Sequence, residues 1–159
     1  METAAPTSIL FVCLGNICRS PLAEGIMRHL VAERGLSGVV QVDSAGTGDW
    51  HAGEAPHRGS IRVAMEHGID ISGQVARQVT DADFERFDWL VAMDTTNRNA
   101  LRHLDPTRHT WERIVLLLDY AGDNTPRDVP DPYYDGGFER VFDLVHKGCV
   151  GFLERILPG

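Results

Sequence analysis

Cysteine is scarce in this chain, three residues in 159, with Cys13 and Cys18 close together and Cys149 near the far end. An odd number in this arrangement excludes the disulfide framework of a small extracellular domain, so a reducing compartment, the cytoplasm, is expected. No apolar run nears the roughly 18 residues of a membrane helix, and Met1 to Ser8 is too short and too weakly basic for a secretory signal. Membrane insertion is not expected. Nor is there a basic stripe: the formal charge is −8 and the arginines are scattered among acids, which excludes a generic nucleic-acid binder. The seven histidines lack zinc-protease spacing, and Cys13 with Cys18 lacks a second ligand pair, so no metal and no other cofactor is expected.

What remains is ordinary globular composition, 43% apolar and 24% charged, at a length that fits one domain over residues 1–159. Ser8 to Val12 predicts a buried parallel strand. Ser20-Pro21 supplies an N-cap and a first-turn proline for a helix whose apolar residues, Leu22, Ile26 and Leu30 with Ala23, Met27 and Val31, recur at helical spacing up to Gly35. Further strands are predicted at Val39 to Val42, Trp89 to Met93 and Ile114 to Leu118. Further helices are predicted at Ser60 to His67, Asp81 to Phe87, Thr95 to Leu104 before Asp105-Pro106, and Phe138 to Leu157. Asp43 to Gly48 reads as a loop leading to Trp50, and Asp119 to Gly137 as a long polar segment of functional or mobile character. Strands alternating with helices imply a three-layer, doubly wound α/β fold, a parallel sheet with helices on both faces. Ligands in such folds bind at the carboxyl ends of strands, near a switch in strand order.

Ile9 to Leu22 falls at such a place. A cysteine, five intervening residues, an arginine and a serine surround a turn in which the backbone N–H groups of Leu14, Gly15, Asn16, Ile17, Cys18 and Arg19 can converge on one anion beside a sulfur nucleophile. A phosphoryl group there would face a helix N-terminus and be gripped bidentately by Arg19. The same field stabilises a thiolate on Cys13, and Ser20 can donate a hydrogen bond to it. Gly15 removes steric obstruction, and Asn16 tolerates a left-handed backbone. A phosphocysteine pathway also needs a proton donor for the leaving group. Asp119, Asp123, Asp128, Asp131 and Asp135 are all candidates. Residue chemistry does not choose among them, although only Asp131 is tied to a proline and adjacent aromatics, Pro132-Tyr133-Tyr134. With the chain acidic overall, attraction for an anionic substrate must be local, since charges are screened beyond about 8 Å.

Cys13-Leu14-Gly15-Asn16-Ile17-Cys18-Arg19-Ser20-Pro21, with Asp43-Ser44-Ala45-Gly46-Thr47, Ala76-Arg77-Gln78, Ala92-Met93-Asp94 and Asp131-Pro132-Tyr133-Tyr134, closely resembles the low-molecular-weight protein tyrosine phosphatases from about Ile9 to Leu157. The resemblance implies a flavodoxin-like sheet of four parallel strands. It also implies metal-independent, two-step hydrolysis of phosphotyrosine in proteins and of small aryl phosphates. It assigns Cys13 as nucleophile, Arg19 as phosphate clamp and Asp131 as the acid that later activates water. It has Ser44 hydrogen-bond Asn16 and brace the loop, and Trp50, Tyr133 and Tyr134 wall the entrance for an aromatic ring. Cys18 becomes a redox partner able to trap oxidised Cys13 as a disulfide. Tyrosine-phosphorylated proteins are then the expected partners, with a tyrosine kinase acting on Tyr133 or Tyr134 as a further one. Two departures from the family pattern, at Pro56-His57-Arg58-Gly59 and at Gln74, put in doubt a structural ion pair and one outer hydrogen bond to the loop.

Other readings are weaker. A thiol-dependent arsenate reductase on this type of fold would need two further cysteines mid-chain, and none lies between Cys18 and Cys149. A cysteine phosphocarrier would hand phosphate to a sugar, whereas Arg19 with Asp131 suits hydrolysis. A non-catalytic phosphoprotein-binding module would not need the full set of reactive groups. Cys149, Trp89 and Trp111 read as packing residues and Trp50 as a surface aromatic. Oligomeric state is not encoded in any readable pattern.

Overall fold

In a computed structural model, which describes residues 6–105 and 110–157, four parallel strands form the central layer. They are β1 (Thr7–Cys13), β2 (Val40–Gly46), β3 (Trp89–Ala92) and β4 (Ile114–Leu116), in the order β2-β1-β3-β4. The helices are α1 (Arg19–Glu33), α2 (Arg58–Glu66), α3 (Asp81–Arg86), α4 (Thr95–Leu104), α5 (Pro132–Asp135) and α6 (Phe138–Ile156). This is the flavodoxin-like architecture expected. β1 lies between β2 and β3, so strand order reverses at its carboxyl end, where Cys13 stands.

Alternation along β1 explains why its apolar run is continuous. Ile9, Phe11 and Cys13 join the core shared with α1, α2 and α6, while Leu10 and Val12 join a second core with Phe84, Phe87 and Leu101 of the opposite layer. Both faces of the strand are therefore buried, at about 1.5–3 kcal/mol for each large apolar side chain. α6 lies close against the turn Leu117–Tyr120 because residue 151 is glycine: a Cβ there would stand 1.8 Å from the Tyr120 carbonyl oxygen.

Several expected boundaries move. β2 starts at Val40 and runs to Gly46, through Asp43 to Gly46, which composition suggests is loop; its ladder with β1 continues to Cys13 opposite Gly46, and pairing overrides the polar residues. β4 ends at Leu116, the last residue opposite β3, and Leu117 and Leu118 turn into a 3₁₀ segment. β3 ends at Ala92 rather than Met93. α1 begins at Arg19, so Ser20 lies inside its first turn and is not the cap; the N-cap position is Cys18, without a side-chain cap bond. Pro21 is tolerated because first-turn N–H groups have no helical partner. α2 begins two residues before Ser60. The segment Asp119 to Gly137 contains α5, a single turn capped by Asp131. Trp89 packs edge-on against Phe152, but Trp111 is 39% exposed, with the Arg102 guanidinium 5.7 Å from its ring. Pro106, the expected stop after α4, lies outside the described residues. Cys149 is fully buried, as expected of a packing residue, and burial pushes its thiol far up. Among the described residues no helix is long and apolar enough to cross a membrane.

Candidate active site

The turn after β1 is built on its neighbours. The N–H groups of Thr47 and Gly48 donate to the carbonyls of Cys13 and Leu14, at 2.9 Å each. Gly46 lies directly beneath: a Cβ there would meet the Leu14 carbonyl oxygen at 2.8 Å and the Asn16 nitrogen at 3.1 Å, so only glycine fits. Asn16 takes a left-handed backbone, φ 58°, and its side chain stabilises that strain from below. Its Nδ2 donates to Ser20 Oγ at 2.8 Å and Ser44 Oγ at 2.9 Å, and its Oδ1 accepts from the Arg77 N–H at 3.0 Å. The Ser44 hydroxyl donates its own hydrogen bond to Glu24 Oε1 at 2.6 Å. Ser20 Oγ, already accepting from Asn16, has its single proton left for Cys13 Sγ, 3.0 Å away.

Arg19 is held by two anchors, Asp94 at 2.6 Å and the Val129 carbonyl at 3.0 Å, both on Nη1. Its Nη2 faces Asp131 Oδ2 at 3.6 Å. Burial alone would make the guanidinium easier to deprotonate, but the charges of Cys13, Asp94 and Asp131 outweigh it and hold the cation firmly charged. Asp131 caps α5: Oδ1 accepts the Tyr133 N–H at 3.0 Å, which leaves Oδ2 turned toward Arg19. Burial, then the neighbouring Cys13 and Asp131, push the Cys18 thiol up to about 12. Burial likewise raises Glu24, against the opposing pull of Ser44 and Arg28.

These groups surround one cavity of about 290 Å³. Cys13, Leu14, Gly15, Ile17, Cys18 and Arg19 form its floor; Asp131, Tyr133, Tyr134 and Trp50 form its wall. Asn16 and Ser20, expected among the binding residues, do not line it; their side chains lie underneath, in the hydrogen-bond network, where Ser44 bonds Asn16 as expected. His51 does line it and was missed by sequence reasoning. It packs over Gly15, with Nδ1 3.0 Å from Glu54, and its neighbour Trp50 was the only available signal. Asp94 and Arg77 stand in the motifs that carry the family resemblance but had no role assigned, and Glu24 was missed, since each acts on a partner remote in sequence. Of the two departures, His57 caps α2 with its own ring, and Gln74 still reaches the loop side of α1, donating to the Pro21 carbonyl at 3.1 Å. Outside the cavity, exposed His67, Glu139 and Asp143 bring possible ligand atoms within 4.8 Å of one another.

Fold and cavity together define a doubly wound α/β protein that presents a tight loop, a cysteine, an arginine and a carboxylate at its switch point. The family model of the low molecular weight phosphotyrosine protein phosphatases matches residues 8–157, and the chain belongs to that family of phosphoric monoester hydrolases. It is 48% identical over 149 residues to the low molecular weight protein-tyrosine-phosphatase YfkJ of Bacillus subtilis, covering 94% of this chain and 95% of that protein. The crystal structure of YfkJ superposes with a TM-score of 0.92, covering 98% of this chain and 97% of that one. It is 40% identical to the low molecular weight phosphotyrosine protein phosphatase 2 of Drosophila melanogaster, over 94% of this chain and 92% of that protein. The structure of the Drosophila arginine phosphatase DARP is similar at a TM-score of 0.87 and 34% identity, over 94% of this chain and 98% of that one.

Proposed function

We propose that this enzyme hydrolyses phosphotyrosine in proteins, and small aryl phosphates, through a phosphocysteine on Cys13. The observation that carries this reading is the meeting of Cys13, Arg19 and Asp131 around one cavity, with Asp131 Oδ2 3.6 Å from Arg19 Nη2. The phosphate sits on the N–H groups of the turn and on Arg19, whose anchors at Asp94 and Val129 fix the guanidinium before substrate arrives. The Ser20 hydroxyl stabilises the Cys13 thiolate, which attacks phosphorus. Protonated Asp131 gives its proton to the departing phenolate, and the resulting carboxylate then takes a proton from the water that attacks the phosphocysteine. Sulfur leaves as thiolate, and the enzyme is restored. No metal or other cofactor enters these steps.

Trp50, Tyr133 and Tyr134, 69%, 44% and 81% exposed, offer flat apolar surface to an aryl ring at the mouth of the cavity. Cys18, a thiol at neutral pH, serves as the redox guard; a Cys13–Cys18 disulfide detected by mass spectrometry after mild peroxide is the check on that role. Three free cysteines, all buried, support the cytoplasm as the working compartment. The deciding experiment is turnover of p-nitrophenyl phosphate, phosphotyrosine and phosphoarginine by wild type, Cys13→Ser and Asp131→Asn without added metal. Cys13→Ser should be inactive. Asp131→Asn should lose about 10²–10⁴-fold with poor leaving groups and less with good ones. Wild-type rates in Cys13→Ser would end the nucleophile assignment, and preference for phosphoarginine would end the aryl one.

A further inference from the structure

α2 begins on an uncommon cap. His57 occupies its N-cap position, and the ring Nδ1 accepts the Gly59 N–H at 2.9 Å. A backbone N–H can only donate, so Nδ1 carries no proton and the ring is the neutral Nε2–H tautomer. The same ring touches the segment that carries Asp131. It meets Tyr133 edge-on, centroids 5.9 Å apart at 74°, and stacks on Phe138 at 5.0 Å and 25°. Gly59 belongs to this contact, because a Cβ there would stand 2.4 Å from the Phe138 ring. The start of α2 also grips the phosphate loop: the His57 N–H donates to the Ile17 carbonyl at 2.7 Å, and Ser60 Oγ to the Cys18 carbonyl at 3.0 Å. One short stretch therefore joins the loop of Cys13 to the segment of Asp131.

We infer that His57 is a positioning residue that holds Tyr133 and the Asp131 segment over the phosphate loop only while its imidazole is neutral, so that proton uptake by this ring lowers activity. The inference rests on the role proposed for Asp131. A proton on Nδ1 turns the cap acceptor into a donor facing the Gly59 N–H. It also places positive charge at a helix N-terminus, where the dipole is already positive. Both effects drive the ring away from Gly59 and hence from its seats on Tyr133 and Phe138. The titratable or charged groups on the elements packed against it are Tyr133 and Asp131 on the α5 segment, Cys18 on the loop, Glu139 beside Phe138 on α6, where it pairs with His67, Arg58 on α2, and His51, which lies on Tyr133 at 5.9 Å. Among the described side chains no carboxylate pairs with His57 to offset the charge.

The test compares kcat/KM of wild type and His57→Asn from about pH 7.5 down to about pH 5, across the imidazole range. Asparagine caps a helix without titrating, and ionisation of substrate, Cys13 and Asp131 is common to both enzymes, so their ratio isolates His57. The wild-type to His57→Asn ratio should fall about fivefold on acidification, the factor equivalent to one lost N-cap, with the fall in kcat arising through Asp131 and any rise in KM confined to aryl substrates that reach Tyr133. A constant ratio overturns the inference. Nuclear magnetic resonance supplies a readout that needs no turnover and so survives failure of the Asp131 assignment. With His51, the other imidazole on Tyr133, replaced by asparagine in both proteins, the Gly59 amide and Tyr133 ring signals should follow the His57 titration and stay fixed when His57→Asn is added. Tyr133 signals that ignore that titration overturn it as well.

Discussion

Ser44 carries a single hydroxyl between two obligations: it donates to Glu24 and accepts from Asn16, in a buried setting. Removing it leaves both partners short of a hydrogen bond, and an unsatisfied buried group costs about 1–3 kcal/mol. Ser44→Ala should therefore lose stability of about that size in urea unfolding. It should also lower kcat, because Asn16 at φ 58° is held mainly by this side-chain network. Unchanged kcat with lowered stability would show that the network serves folding alone. Arg19 illustrates the same dependence on remote partners. Its Nη1 is committed to Asp94 and Val129, which were not readable as neighbours from a cysteine–arginine spacing near the amino end.

α3 shows how an element far from the cavity still shapes it. Its capping box places the Asp83 side chain on the Thr80 N–H at 2.8 Å, and the same carboxylate pairs with Arg77 at 2.9 Å. Arg77 in turn presents its N–H to Asn16 and accepts the Gly46 N–H at 2.8 Å. Burial raises Asp83, but the hydrogen bonds from Arg77 and Thr80 outweigh it, and the carboxyl titrates below its ordinary range. The folded form thus holds its proton less tightly than the unfolded chain. This contribution is fully present above the ordinary aspartate range and is lost as pH falls toward the lowered value. Asp83→Asn should cost about 2 kcal/mol near neutral pH, and its unfolding free energy should fall less steeply on acidification than that of wild type. Parallel slopes in acid would remove Asp83 from the linkage. The acidic residues of this helix were readable as a start signal, but not the reach to Arg77, because periodicity reports which face is buried and not what the cap touches.

The whole molecule carries a formal charge of −8, and Arg19, the one cation lining the cavity among the described residues, is itself paired with Asp94 and faces Asp131. Phosphopeptides with acidic flanks are repelled at long range, and raising ionic strength from about 0.01 M to about 0.15 M shortens the screening length from about 30 to 8 Å. kcat/KM for an acid-flanked phosphopeptide should rise over that interval relative to a basic-flanked one; an unchanged ratio would mean that only the local field of the site matters. At this scale the division between sequence and tertiary structure is clear. The sequence by itself determined the alternation of strands and helices, the doubly wound class and the turn that carries Cys13 and Arg19, because hydrophobic period, glycine placement and cysteine–arginine spacing act within a few residues. Its likeness to a phosphatase family then pointed to Asp131 among five candidate aspartates, a choice that residue chemistry left open. Where the ends of β2 and β4 fall was decided only by the ladders with β1 and β3, since pairing overrides local composition. Placing Asn16 and Ser20 beneath the cavity, bringing His51 to its rim, joining Asp94 to Arg19 and seating His57 against Tyr133 were also left to the tertiary structure. Apart from the short-range bonds of Ser20, these depend on contacts between segments tens of residues apart. Packing of the layers and the hydrogen-bond demands of buried groups set such contacts, and no local pattern records them.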